Sequence, residues 1–205
     1  MSLDKESFTI FLDTVQKFVD NKLIPREEEV SETNNIPIDV INEMKELGLF
    51  GISIPHEYGG SNLSMEEEVR LTFELGRASP AFRSIAGTNI GIGSQAIVMS
   101  GTEEQKIKYL PNFATGELIG SFALTEPDAG SDAMSIKTTA KKSNHKYVIN
   151  GTKRYITNAP IAGVFSVMAK TRPEKKSSSI SCLLVDAKTS GVTIGKPDIK
   201  IVAVF

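Results

Sequence analysis

Apolar residues at Phe8, Phe11, Leu12, Val15, Phe18 and Val19 fall at i, i+3, i+4, i+7, i+10 and i+11, which is one stripe of an amphipathic helix turned to a core. A second helix is predicted from about Pro37, a favoured first-turn residue, through Ile41, Met44 and Leu47. It should stop at Gly48, which can take the left-handed cap conformation. Ser64 with Glu67, and Thr102 with Gln105, have capping-box spacing and place two further helix starts. Between them, Pro80 to Ser100 is mostly apolar with small residues and few charges, as expected of a helix buried on most sides and lining a ligand channel.

After Gly116 the period changes from helical to alternating. Ile136/Thr138/Ala140, Tyr147/Ile149, Phe165/Val167/Ala169 and Ile180/Cys182/Leu184 form candidate one-face sets of strands. Asn150-Gly151, between KYVI and TKRYIT, is a strong hairpin signal because both turn positions need positive φ. Ser143-Asn144 and Thr189-Ser190-Gly191 mark further turns, and Lys175 to Ser179 reads as a polar loop tip. Helices followed by strands predict an α+β chain, with an all-α domain over residues 1–117 and an antiparallel β-domain over residues 118–205.

Composition narrows the function classes. The 205 residues are 40% hydrophobic and 23% charged, which fits an ordinary globular chain rather than a disordered or fibrous one. A net charge of −2 with scattered Lys and Arg lacks the electrostatic footprint of nucleic-acid or anionic-membrane binding. No apolar run approaches the roughly 20 residues of a membrane span. The N-terminus, MSLDKESF, has neither an apolar signal core nor an Arg/Ser-rich presequence, so a cytoplasmic location is expected. Cys182, in the apolar run SISCLLVD, is expected to be a buried inert thiol, and one cysteine cannot form an internal disulfide. His56 and His145 lie far apart in turn-like sequence, and no metal site is expected.

Two segments match chemical motifs. Gly91-Ile-Gly93-Ser-Gln-Ala96 fits a dinucleotide fingerprint on paper, but it lacks the preceding strand and the βαβ context that the fingerprint requires. TEPDAGSD, after the strand IGSFAL, is suited to a polar, phosphate-bearing ligand. Thr125 offers a hydroxyl, Gly130 lets backbone approach closely, and Ser131 can donate to a phosphate oxygen. Taken alone, Glu126-Pro127-Asp128 reads as a tight turn, with Ser131 or Asp132 capping a helical turn at Ala133-Met134.

The whole string FALTEPDAGSD, together with Tyr155-Ile156-Thr157-Asn158 at the expected distance, resembles the signatures of acyl-CoA dehydrogenases. IPHEYGG, TEEQKIKYLP, YVINGTKRYITN and SCLLVDAKTSGVTIGKP also look like family stretches, so the resemblance runs from about residue 5 to residue 197. It implies a barrel-like form for the β-domain and FAD as cofactor. On this resemblance Phe122 to Ser131 would run along FAD, with the Leu124 main chain and Thr125 on the flavin pyrimidine edge. Ser131 would contact the pyrophosphate and lie near the CoA arm, and Thr157, following Ile156, would reach flavin N5. Tyr155 would pack over the ring, and Thr171 would lie near CoA. Tyr155 stands where many members have Trp, and Phe122 where some have Tyr; both keep an aromatic face. Thr88, Ile92 and Gln95 would partly line the acyl pocket.

The implied reaction is α,β-dehydrogenation of an acyl-CoA thioester, with a Glu removing the α-proton and flavin N5 accepting hydride. Acyl-CoA and an electron-transfer flavoprotein are the implied partners, and full-length members are homo-oligomeric. In most members that Glu lies on a C-terminal four-helix domain, which this sequence is expected to lack. The sequence departs from the family after Gly195-Lys196-Pro197, reading DIKIVAVF, as expected of a frame-shifted or prematurely terminated gene or of a truncated piece of a longer chain. Glu126 is assigned a structural role in its turn, and no catalytic residue is assigned. The chain alone is expected to bind FAD weakly or not at all. An acyl-CoA oxidase or nitroalkane oxidase of the same fold, or a non-catalytic acyl-CoA-binding protein, are the alternatives.

Overall fold

The computed structural model describes residues 3–144, 146–172 and 179–197. The predicted helical stripe is α1, Lys5–Phe18, capped by the Asp4 carboxylate on the Ser7 amide. Phe8, Val15, Phe18 and Val19 are buried, with Phe11 and Leu12 packed against the same core. There follow α2, Glu27–Thr33, and α3, Ile38–Glu46, for which Pro37 is the cap residue rather than the first turn. Gly48 ends this helix in the left-handed region at φ +72°. α4, Met65–Leu75, and α7, Glu103–Ala114, both begin with complete capping boxes, from Ser64/Glu67 and Thr102/Gln105.

The apolar run from Pro80 to Ser100 is one interrupted helix: α5, Pro80–Thr88, a π-helical turn at Asn89–Gly93, and α6, Gln95–Ser100. The π turn releases carbonyls from the ladder, and side chains take them up. Ile90 O accepts from the Ser94 and Ser53 hydroxyls and from Gln95 Nε2, and Gly93 O accepts from Ser166 Oγ of the sheet. The two glycines of the apparent dinucleotide fingerprint therefore sit within this turn. A side chain at Gly93 would press on Thr88 O and on the backbone of Gly120.

The sheet contains β1, Gly120–Ala123; β2, Thr139–Ser143; β3, Lys146–Asn150; β4, Val164–Lys170; and β5, Ile180–Asp186. Its order is β1-β4-β2-β3, with β5 also pairing β4. The predicted α+β order holds, but the sheet is mixed and open rather than antiparallel and barrel-like. β1 and β2 run parallel to β4, while β2/β3 and β4/β5 are antiparallel. Alternation alone does not encode strand direction, and the crossovers here pass through irregular loops. β4 carries buried residues on both faces, Val164 to Val167 in succession, because it is the central strand.

Two local expectations are corrected. Asn150-Gly151 is not a hairpin: β3 ends at Asn150, and the β2–β3 turn lies at Ser143-Asn144, where Asn144 takes φ +53°. Gly151 is instead required because a Cβ there would lie 2.2 Å from Thr138 Oγ1. Cys182 is exposed on β5, an outer strand, rather than buried. Residues 173–178, which take in most of the polar stretch Lys175 to Ser179, together with His145 and residues 198–205, lie outside the described residues.

The helical part and the sheet share a core. Ile97, Tyr109, Leu110 and Phe113 of the helices cluster with Val164 of β4, and Leu184 of β5 packs against them. Asn89, fully buried in the π turn, donates to Phe50 O and Phe113 O and accepts from the Gly120 amide at 2.8 Å. No described helix is long and apolar enough to cross a membrane.

Candidate functional site

FALTEPDAGSD leaves the C-terminal end of β1 and turns immediately. The Glu126 amide donates to Ala129 O and the Ala129 amide donates back to Glu126 O, so Pro127 and Asp128 form the tight turn predicted from their composition. Asp132 is engaged by the Ser135 hydroxyl beside a short helical turn at Ala133–Ser135, while Gly130 and Ser131 are exposed. A Cβ at Gly130 would meet no atom within 4 Å, so a ligand can approach that backbone closely.

The YITN segment lies alongside. The Arg154 amide donates to Thr125 O at 2.9 Å, and Ser121 Oγ donates to Thr157 O at 2.7 Å. Two segments separated by some 30 residues are thus sewn together at the end of β1. Asn158, at φ +66°, donates through Nδ2 to Ile85 O and ties the loop to α5. Ile156 packs into the small core of Ala123, Ala162, Phe165 and Val167, so it anchors the loop rather than facing outward.

Tyr155 is unusual. It adopts φ +58°, costly for a residue with a bulky side chain, yet its ring is 56% exposed, with the Arg154 guanidinium 4.7 Å from the ring centroid. The strained backbone here presents an aromatic face outward rather than filling a core, and residues strained in this way cluster at functional sites.

Beneath this surface lies a network that sequence reading did not identify. Glu126 is buried; its carboxylate accepts from the Lys137 and Thr138 amides, the Thr138 hydroxyl and Lys153 Nζ at 2.9 Å. Burial pushes this carboxyl's pKa up, but the Thr138, Lys137 and Lys153 hydrogen bonds outweigh it and hold the pKa down at about 2. Glu126 is therefore ionised and fully committed, in keeping with the structural role assigned to it. Lys153 also donates to Leu124 O at 2.8 Å. The available signal was Glu126 three residues after the buried strand residue Ala123: a carboxylate so close to a buried strand needs a cation, and Lys153 stands two residues before the second motif.

Phe122, Leu124, Thr125, Tyr155, Ile156 and Thr157 are brought to one place by these bonds, with Gly130 and Ser131 just beyond the turn. Thr171 is placed elsewhere. It lies past the end of β4 in an open cleft of about 550 Å³ with Lys108, Tyr109, Ser181 and Cys182, which none of the other predicted site residues lines. Its hydroxyl shares a hydrogen bond with Ser181 Oγ at 2.8 Å. Thr88 and Gln95 are half-buried and Ile92 is exposed on the interrupted helix. Among the described residues, no group of His, Cys, Asp and Glu could hold a metal ion.

With Leu124 O taken by Lys153 and Thr125 O by the Arg154 amide, the Thr125 hydroxyl and the backbone N–H groups are what this segment can still offer a ligand.

Comparison with known proteins places these segments. Residues 5–117 match the family model described as acyl-CoA dehydrogenase, N-terminal domain, and residues 121–201 match acyl-CoA dehydrogenase, middle domain. An acyl-CoA dehydrogenase of Bacillus subtilis is 38% identical over 187 residues, which are 91% of this chain and 49% of that protein. The FAD complex of acyl-CoA dehydrogenase from Bacillus anthracis superposes with a TM-score of 0.83 at 35% identity, covering 98% of this chain and 34% of that one. A chain solved in work on the electron transferring flavoprotein of Acidaminococcus fermentans and flavin-based electron bifurcation gives a TM-score of 0.90 at 33% identity, covering 98% and 53%. The chain spans about half the length of the curated relatives it matches.

Proposed function

The chain belongs to the acyl-CoA dehydrogenase family, and on that premise we propose that it forms the flavin-facing and thioester-facing part of an FAD-dependent acyl-CoA dehydrogenase. The observation that carries this reading is the joining of the 121–125 segment to the 154–157 segment through Arg154 N–Thr125 O and Ser121 Oγ–Thr157 O, beside an exposed Tyr155 held at positive φ. Bound there, FAD would supply the hydride acceptor for α,β-dehydrogenation of an acyl-CoA.

The roles of the chain's own residues follow from their chemistry. Leu124 and Thr125 supply donors to the pyrimidine edge, where negative charge develops on reduction. Thr157 donates toward N5, and Tyr155, with Phe122 in β1, gives an aromatic wall that excludes water. Gly130 and Ser131 take the pyrophosphate, and Ser131 and Thr171 flank the path of CoA. Glu126 is not the proton-removing carboxylate in this reading, since it is buried, saturated with donors and held at a pKa of about 2, which makes it a weak base. Electron-transfer flavoprotein is the acceptor in this reading, in keeping with the Acidaminococcus work, and the whole enzyme is a homo-oligomer.

Titration of the purified chain with FAD, followed by flavin fluorescence and visible absorption, tests the proposal. The expected result is weak binding that Thr125→Val and Thr157→Val each weaken further, with no bleaching on addition of an acyl-CoA. Binding insensitive to both substitutions would place the flavin elsewhere, and bleaching by acyl-CoA would show a base within the chain.

A further inference from the structure

Lys153 lies between the two flavin-facing segments but belongs to neither motif. Its side chain is 11% exposed, and the ammonium sits 2.8 Å from Leu124 O and 2.9 Å from Glu126 Oε1. A trans peptide holds its C=O and N–H in one plane and pointing in opposite directions. Fixing Leu124 O on an inward-lying cation therefore fixes the direction of the next N–H, that of Thr125, away from Lys153. The following peptide is held at both ends, Thr125 O by the Arg154 amide and the Glu126 N–H by Ala129 O, so it cannot rotate to undo the setting. A cation on the carbonyl also draws electron density from its amide, making that N–H a stronger donor.

We infer that Lys153 is a positioning residue that aims and strengthens the Thr125 N–H as a hydrogen-bond donor to the pyrimidine edge of the bound flavin. The inference rests on the flavin reading above, but it makes a claim about the protein without cofactor as well. Glu126 is the counter-charge that keeps Lys153 in place; it is itself pinned by Thr138 and by the Lys137 amide. Gly151, packed on Thr138, closes the arrangement from behind.

Two variants separate aim from mere folding. Lys153→Met leaves Glu126 unpaired, so Lys153→Met with Glu126→Gln removes both charges at nearly constant volume; Lys153→Arg keeps the cation. In the cofactor-free chain, amide NMR is expected to show the Thr125 resonance displaced upfield in the charge-free double variant and nearly unmoved in Lys153→Arg, with α1 and α3 resonances unchanged in both. A Thr125 resonance unaffected by loss of the cation overturns the inference. With FAD, the double variant should bind about tenfold more weakly and at a more negative midpoint potential than Lys153→Arg, because the lost donor favours reduced flavin. Equal affinity and equal potential in the two variants also overturn it. If FAD binds but is insensitive to Thr125→Val and Thr157→Val while the Thr125 resonance responds as expected, it is the flavin reading of this chain that fails, and the aiming of Thr125 by Lys153 stands.

Discussion

Glu126 sets the chemistry of the site from below. Its folded-state pKa of about 2 lies under the ordinary carboxylate value of 4.5, so its bonds stabilise the fold wherever the unfolded chain would also be ionised. The sign follows directly. The contribution is fully present above about pH 5 and is lost as pH falls through the range from 4.5 to about 2, where the unfolded chain binds a proton that the folded chain resists. Glu126→Gln mimics the protonated side chain, so the stability gap between wild type and variant in urea unfolding should be constant from pH 7 to 5 and shrink below pH 4. A gap that widened on acidification would reverse the assignment. Lys153→Met alone should cost about 3 kcal/mol at neutral pH, because it strands a buried carboxylate. These residues were half legible in the sequence. The turn at Glu126-Pro127-Asp128 could be read from local chemistry, but its partners at 138 and 153 are set by tertiary contact, which no spacing rule encodes.

Helices were more legible than strands, for a physical reason. Capping boxes at Ser64/Glu67 and Thr102/Gln105, and the Gly48 stop, are satisfied by atoms within four residues, and each was found where the sequence put it. Strand pairing depends on distant chain. Asn150-Gly151 has the local form of a hairpin turn, yet Gly151 is small because Thr138 occupies the space a side chain would need. Gly151→Ala is thus expected to destabilise the chain by about 1–3 kcal/mol through overpacking, measurable by thermal or urea unfolding. It should do so without the rescue that Asn or Asp gives at a true positive-φ turn. Tolerance of alanine at this position would mean that Thr138 moves freely, which its bond to Glu126 argues against. The π turn was missed for the same reason as the pairing. Asn89–Gly93 lies in a continuous apolar helix pattern, and what distends it is the seating of Asn89 among Phe50 O, Phe113 O and the Gly120 amide. Asn89→Ala leaves that amide without its acceptor and should cost about 2 kcal/mol.

At the scale of the whole molecule, the two family domains are not independent bodies. Leu110 and Phe113 of α7 are fully buried in the same cluster as Val164 of the sheet, and Asn89, Asn158 and Ser166 carry hydrogen bonds across the junction. The loop that carries Tyr155 is itself held by one of these, Asn158 to Ile85 O. A loss of packing in the helical part must therefore reach the site. Leu110→Ala removes a fully buried side chain from the shared cluster and should cost about 2–5 kcal/mol. Hydrogen exchange followed by mass spectrometry can locate that loss. In a cooperative two-part core, peptides from α7, β4 and the Tyr155 loop should all exchange faster in Leu110→Ala by a common factor, since they open in the same event. Protection lost in α7 alone, with β4 and the loop unchanged, would instead mean that the sheet folds on its own and that the hydrogen bonds across the junction are incidental to it. The first outcome is the one the packing requires, because Val164 is buried in one cluster with Ile97, Leu110 and Phe113 of the helices.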